Sequence, residues 1–186
     1  MAKKQQEYGN DSIRQLKGAD RVRKRPAVIF GSDGLDGCDS SEVDTIVIAG
    51  MGGDTICGIL DRAEWCMARE YTLILQPMTK CEILRYWLVY NEFEIISEEL
   101  VRDDRLYQII TARFGGRQRL NDAELYTGST ALIGGDPLFP ELRGKLERRF
   151  ASAVDGMRES TETEIIDRRR LYEEILNQLR DMEGGR

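Results

Sequence analysis

The hydrophobic pattern of this chain is clearest at residues 43–60, VDTIVIAGMGGDTICGIL, where a short apolar run passes into a helical one. Residues 45–48 are a continuous, mostly β-branched run, which is typical of a parallel strand covered on both faces. The glycines that follow predict a bend where a ligand could touch the backbone. Asp54 predicts a cap for the helix that continues to Leu60. Many α/β enzymes build a small-molecule site in this way, and an ordinary strand-to-helix turn has the same pattern.

Later apolar runs predict three more strands and one helix. Residues 71–77 (YTLILQP) indicate a second buried strand that Pro77 ends, and residues 93–100 and 106–114 indicate a terminal strand pair. Residues 79–91 have helical periodicity. The predicted core side of this helix holds Ile83, Leu84, Trp87, Leu88 and Tyr90.

This order of elements favours an α/β fold, the second half of a doubly wound Rossmann-like sheet. Ligands bind such sheets beyond the carboxyl ends of the parallel strands. Those ends are predicted at residues 50–53 and 76–78.

After Gly116 the pattern changes to a polar loop over residues 117–136 and then to two amphipathic helices, 137–157 and 162–182. Their apolar positions are Leu142, Leu146, Phe150, Ala153 and Met157 in the first helix, and Ile165, Leu171, Ile175, Leu179 and Met182 in the second. We expect an antiparallel two-helix hairpin. Its basic run, Arg168, Arg169 and Arg170, is either an RNA contact or part of a solvated cap.

Composition excludes several kinds of site. The 186 residues are 41% hydrophobic, include no histidine, and hold four cysteines without a CxxC pair. Ser-His and Cys-His nucleophiles are therefore excluded, and we expect no metal site. No apolar run is long enough to span a membrane and no secretion signal is visible, so we expect a soluble cytoplasmic protein.

Charge is distributed unevenly. Residues 1–30 hold eight lysines and arginines against three acids, a net of +5, whereas the whole chain carries −6, which leaves −11 for the remainder. A basic arm of this kind could contact phosphates, and a solvated charge run is the alternative.

Three motifs give the chain a specific resemblance: SDGL at 32–35, IAGMGG at 48–53 and LILQP at 73–77. With the helical extension, they resemble the bacterial S-adenosylmethionine-dependent tRNA methyltransferases that modify adenine N1 at adenosine 22 of the D-arm. The resemblance implies a Rossmann-like methyltransferase domain with a helical hairpin, S-adenosylmethionine as cofactor and tRNA as partner. The cofactor-binding residues it implies are Asp33, Gly34, Ala49, Gly50, Met51, Gly52 and Gly53; on the substrate side are Gln76, Pro77, Arg168, Arg169 and Arg170.

Adenine N1 carries a lone pair and the sulfonium methyl needs no activation, so such a site must mainly position its reactants and exclude water. The base must also be unpaired to expose N1. Asp54 and Gln76 are the candidate catalytic groups, because either could bind the amino group of the adenine or stabilise the developing positive charge. Asp54 as a plain helix cap is the alternative.

The amino-terminal segment departs from that family. The sequence has no first-strand glycine loop of the DIGSDHAYLP type, and residues 8–38 instead resemble the amino terminus of type II topoisomerase ATPase subunits, through VRKRP at 22–26 and FGS at 30–32. Both resemblances overlap at residues 32–37. We therefore expect a chimera with a basic segment at 1–31, a truncated methyltransferase domain at 32–116, and a linker with hairpin at 117–186.

Removal of the first half of the sheet predicts an exposed apolar edge beside the strand at residues 45–48, and hence self-association. Three functions are open at this point: a methyltransferase remnant that lacks the first half of its sheet, a non-catalytic RNA-binding or oligomerising module, and a topoisomerase ATPase fragment.

Overall fold

The computed structural model describes residues 26–29, 34–35, 40–68 and 70–182. The strands are β1 (Pro26–Ile29), β2 (Thr45–Gly52), β3 (Thr72–Thr79), β4 (Phe93–Arg102) and β5 (Leu106–Phe114). The helices are α1 (Gly53–Arg62), α2 (Cys81–Tyr90), α3 (Asp122–Thr127), α4 (Thr130–Ile133), α5 (Phe139–Gly156) and α6 (Thr163–Asp181). Short 3-10 turns lie at Ser40–Glu42 and Glu64–Cys66.

The strands form one mixed sheet in the order β1-β2-β3-β5-β4. The first three are parallel, and β5 lies antiparallel between β3 and β4. This confirms the α/β, Rossmann-like prediction. The mixed edge follows from the chain itself, because β4 and β5 are joined by a tight turn and a tight turn can only connect antiparallel strands.

The prediction of an exposed sheet edge beside residues 45–48 is wrong. Residues 26–29 pair in parallel with residues 45–48, so β1 provides backbone partners there. The backbone of β1 pairs with the outer side of β2, and the sheet edge moves outward by one strand.

Two predicted boundaries are also wrong. Pro77 does not end its strand, since β3 continues to Thr79. Pro77 lies opposite Met51, where the β2–β3 register shifts on either side, so its missing N–H interrupts no regular ladder. Asp54 is not the cap of α1; that position is Gly52, with no side-chain hydrogen bond, and Asp54 lies within the first turn.

The hydrophobic residues form two cores. The first packs β2, β3, α1 and α2 around Ile48, Leu60 and Leu84. The second packs the α5–α6 hairpin against α3, α4 and the end of β4, around Phe139 and Phe150. In α2, Leu84 and Leu88 are buried as predicted, but Ile83 and Tyr90 are exposed by 41% and 75%, so their placement on the core side was wrong.

The hairpin is antiparallel, as predicted. The Phe150 ring on α5 packs edge-to-face on Tyr172 of α6 at 5.0 Å. Arg143, near the start of α5, donates to the carbonyl of Met182 just beyond the end of α6. Leu171, assigned to the apolar stripe, is 45% exposed, because the face that packs on α5 runs through Tyr172 and Ile175 instead.

Residues 117–136 are not only a loop, because they contain α3 and α4. Asn121 accepts a hydrogen bond from the Glu124 amide at 2.9 Å, and the Glu124 carboxylate accepts one from the Asn121 amide at 3.1 Å. This capping box starts α3. Over the described ranges, the model contains no helix long and apolar enough to cross a membrane.

Candidate functional site at the carboxyl edge of the sheet

The carboxyl ends of β2 and β3 lie side by side and bring the predicted site residues together. Ala49 pairs with Gln76, and Gly52 pairs with Thr79. Ala49 and Gly50 are exposed. The backbone between these strands therefore opens to solvent at the edge where α/β sheets bind ligands.

Gly50 and Gln76 are directly connected. Gly50 has a φ of +79°, in the left-handed region that favours glycine, and a side chain there would meet no atom within 4 Å. Its amide donates to Oε1 of Gln76 at 2.9 Å, while Nε2 of Gln76 donates to the Pro77 carbonyl at 3.3 Å. Gln76 thus fixes the bend from the neighbouring strand.

Gly53 permits the close approach of two site segments. A Cβ at this position would overlap the carbonyl oxygen of Lys80. Lys80, just before α2, has φ 55° and ψ 41°, a conformation that non-glycine residues seldom adopt. The β2–α1 and β3–α2 connections are therefore packed backbone to backbone, with a strained residue between β3 and α2.

An ion pair also joins these two connections. Nζ of Lys80 lies 2.5 Å from Oδ2 of Asp54, and both side chains are about half exposed at 50% and 49%. The hydrogen bond from Lys80 lowers the pKa of Asp54 below its ordinary value. Asp54 is therefore an ionised carboxylate near neutral pH, paired with a cation rather than used as a cap.

Gly34 lies against the helix that starts at the site. Its φ is +57°, and a Cβ there would come within 2.8 Å of Cγ2 of Ile59 on α1. The structure therefore holds residue 34 next to α1, while Asp33 lies outside the described residues.

The basic run on α6 is not part of this edge. Arg168 pairs with Glu164 at 3.0 Å, Arg169 with Glu173 at 3.6 Å, and Arg170 with Asp167 at 3.7 Å. Each guanidinium is thus near a carboxylate of its own helix, and α6 packs mainly on α5 and α3.

The polar cluster that the sequence analysis missed is buried between the two cores. Arg85 and Glu98 are both fully buried, with Nε of Arg85 at 2.7 Å from Oε1 of Glu98. Arg85 also donates to Gln108 Oε1 at 2.7 Å and to the Leu125 carbonyl at 2.9 Å. Glu98 accepts from the Ser129 amide at 2.6 Å. The available signal was Arg85 itself, a charged residue in a helix whose other residues after Glu82 are all apolar or aromatic.

Cys57, a free cysteine on α1, is buried. Burial raises the pKa of the Cys57 thiol to about 12, so it stays protonated near neutral pH. No group of three or more potential ligands that could hold a metal occurs in the described part of the chain.

Comparison with known proteins gives consistent results. The family model described as a methyltransferase domain matches residues 7–110, a range that includes the whole of residues 8–38, the segment that resembles topoisomerases. A tRNA (adenine(22)-N(1))-methyltransferase of Bacillus subtilis (strain 168) is 34% identical over 91 residues, which are 48% of this chain and 38% of that protein.

Two solved structures have the same fold. A protein of the NADB-Rossmann superfamily from Streptococcus agalactiae has a TM-score of 0.64 and 25% identity, over 81% of this chain and 64% of the other. M. capricolum TrmK in complex with S-adenosyl-homocysteine has a TM-score of 0.59 and 19% identity, over 81% and 68%.

The chain spans well under half the length of the curated relative. The family model, however, covers more than half of this chain. The chain therefore belongs to the methyltransferase-domain family.

Proposed function

We propose that this chain transfers the methyl group of S-adenosylmethionine to N1 of an adenine in tRNA, corresponding to adenosine 22. The observation that carries the proposal is the 34% identity to a Bacillus subtilis enzyme that is named for this reaction. Support for the cofactor comes from M. capricolum TrmK, which holds the product of that cofactor within the same fold.

The carboxyl edge of the sheet fits a cofactor that lies along the backbone. The space beside Gly50 is open, and its left-handed bend leaves Ala49 and Gly50 exposed. We assign the cofactor contacts to Gly34 and to residues 49–53, with Asp33 as a further contact. The bound cofactor supplies an electrophilic methyl group, and the residues of the chain orient it and exclude water.

Gln76 is the residue we assign to positioning at this edge. Its amide holds the bend at Gly50, and its side chain is the polar group between the two strand ends. Asp54 is already paired with Lys80, so its negative charge is partly compensated before any substrate arrives. We therefore assign Asp54 and Lys80 to the shape of the site, and Gln76 with Pro77 to contact with the target base.

The test is isothermal titration of the full chain with S-adenosylmethionine, followed by transfer of a labelled methyl group to unmodified tRNA. Primer extension on the product locates N1-methyladenosine, because the methyl group blocks the Watson–Crick edge. We expect binding and a single stop at adenosine 22. Binding without transfer to any tRNA would remove the enzymatic proposal and leave a cofactor-binding protein.

A non-catalytic RNA-binding or oligomerising module is the second candidate. It is favoured by the basic run on α6, which lies apart from the carboxyl edge of the sheet. The hairpin with Arg168, Arg169 and Arg170 would be its RNA-contacting part. This candidate predicts tRNA binding with a steep salt dependence in the absence of any cofactor affinity.

We also infer that the chain has two origins. Residues 1–31 form a topoisomerase-like segment, and the rest consists of a truncated methyltransferase domain at 32–116 and a linker with hairpin at 117–186. The two parts are joined within residues 32–37. Independent sequence reads across those codons test the join. A locus without the junction would show that the two segments do not belong to one gene.

A further inference from the structure

Two tyrosines on α2 are exposed in a way that the fold does not require. Tyr86 and Tyr90 are exposed by 59% and 75%, and their rings are stacked at 6.0 Å between centroids with an angle of 17° between their planes. They are one helical turn apart on the face opposite Leu84 and Leu88. Contiguous apolar groups exposed on a surface mark an interaction site.

Two arginines flank the second ring. Tyr90, Arg117 and Arg119 line the same cleft, which has a volume of about 510 Å³. The segment between the arginines is fixed, because Oε1 of Gln118 accepts a hydrogen bond from the Ile95 amide at 3.1 Å. Arg117 and Arg119 precede and follow this anchored residue in the chain, and both are exposed.

These arginines are available to a ligand. Arg117 is 90% exposed, and its contact with Glu92 is long at 3.4 Å, so it contributes little and can exchange. Arg119 is exposed and makes no ion pair within the described ranges. By contrast, Arg168 and its two neighbours each lie within 3.7 Å of a carboxylate on their own helix.

Stacked aromatic faces beside guanidinium groups fit unpaired nucleotides, since bases stack on rings and phosphates pair with arginine. We propose that unpaired nucleotides of the RNA substrate bind along α2, with bases on Tyr86 and Tyr90 and phosphates at Arg117 and Arg119. The proposal rests on the proposed function for the nature of the RNA. It adds a contact surface outside the carboxyl edge.

Helix α2 joins this surface to the candidate site. Helix α2 begins at Cys81, directly after Lys80 at the carboxyl edge, and ends at Tyr90. At about 1.5 Å per residue, its ten residues extend roughly 15 Å. An RNA molecule that spans this distance can place its target base at Gln76 and nucleotides further along the strand on the tyrosines.

The test measures binding of unmodified tRNA to the full chain by fluorescence anisotropy, without cofactor, at several salt concentrations. Y86A/Y90A should raise the Kd by roughly five-fold or more for each ring. Y86F/Y90F should bind like the wild type, because stacking needs the ring and not the hydroxyl. R119Q should reduce the slope of log K against log salt by about 0.7, whereas R158Q on the hairpin turn should not change it.

Ultraviolet cross-linking followed by peptide mapping provides a positional readout, and we expect tRNA adducts within residues 81–90. The proposal is overturned if Y86A/Y90A and R119Q both bind tRNA with unchanged affinity. It is also overturned if cross-linking is confined to α6 and R168Q/R169Q/R170Q loses tRNA binding. Capture of a protein by the tyrosines in place of tRNA also overturns it. Methyl transfer is measured separately, so its failure refutes the proposed function while the tyrosine dependence of tRNA binding stands on its own.

Discussion

Glu98→Gln should destabilise the protein strongly, although it removes only one charge and keeps the shape of the side chain. Both partners of the Arg85–Glu98 pair are fully buried. The substitution leaves the Arg85 guanidinium without its counter-ion in a site that water does not reach. Removing one partner of a buried pair costs about 3–5 kcal/mol in the free energy of unfolding.

The neighbouring contacts support the upper part of that range. The second oxygen of Glu98 accepts from the Ser129 amide at 2.6 Å, and a Cβ on Gly128 would come within 2.6 Å of the same oxygen. Glutamine can present only one oxygen, so either Arg85 or Ser129 faces an NH₂ group. An unsatisfied buried donor adds its own desolvation cost.

Urea denaturation followed by circular dichroism measures the loss, with thermal unfolding as the second probe. For a chain of this size, 1 kcal/mol shifts Tm by about 2–4 °C, so we expect a decrease on the order of 6–20 °C. Glu164→Gln is the matched control, because it breaks an exposed pair with Arg168 (84% and 53% exposed) and should cost below about 1 kcal/mol. Equal losses for E98Q and E164Q would refute the reasoning.

Three further predictions concern the carboxyl edge of the sheet. Gln76→Ala should weaken S-adenosylmethionine binding in calorimetry with little change in Tm, because it frees the Gly50 amide and removes no core contact; unchanged affinity would argue against a positioning role. Gly53→Ala should lower the free energy of unfolding by about 1–3 kcal/mol in urea denaturation, because the new Cβ would overlap the carbonyl oxygen of Lys80. Gly58→Ala on the same helix is the control, since it has space for a Cβ and should raise the free energy of unfolding by up to about 1 kcal/mol. An unchanged stability in G53A would contradict the close packing. Lys80 lowers the pKa of Asp54. In the wild type this carboxylate therefore stabilises the fold at pH values above its ordinary pKa and loses that contribution as the pH falls through the lowered pKa. Carboxyl NMR titration should show a higher titration midpoint for Asp54 in K80M, and an unchanged midpoint would contradict the pairing.

The sequence was most informative where burial alone determines structure. The apolar run of β2 and the run of β3 are covered on both faces, so their existence and the common position of their carboxyl ends follow from the hydrophobic pattern. Their ends could not be predicted, because β3 passes Pro77 only through a register shift in its partner strand. That shift is a property of two strands together, and no local pattern encodes it.

Other differences have similar causes. The capping box at Asn121 and Glu124 is a local signal that the sequence analysis did not use. Pairing of β1 with β2 depends on residues about twenty positions apart, so the AVI run after Pro26 gave no indication of its partner. The burial of Arg85 depends on Glu98, Gln108 and two carbonyls from α3, which converge only after folding.

The position of β5 has a consequence for how the chain folds during synthesis. Among the strands that the structure describes, β4 is hydrogen-bonded only to β5, which follows it in the chain. A nascent chain that has emerged only to residue 102 therefore exposes one strand with no template to join. The ribosome must release about a dozen further residues before both can insert beside β3, and during that interval the unpaired strand is the segment most open to capture by a chaperone or by another nascent chain.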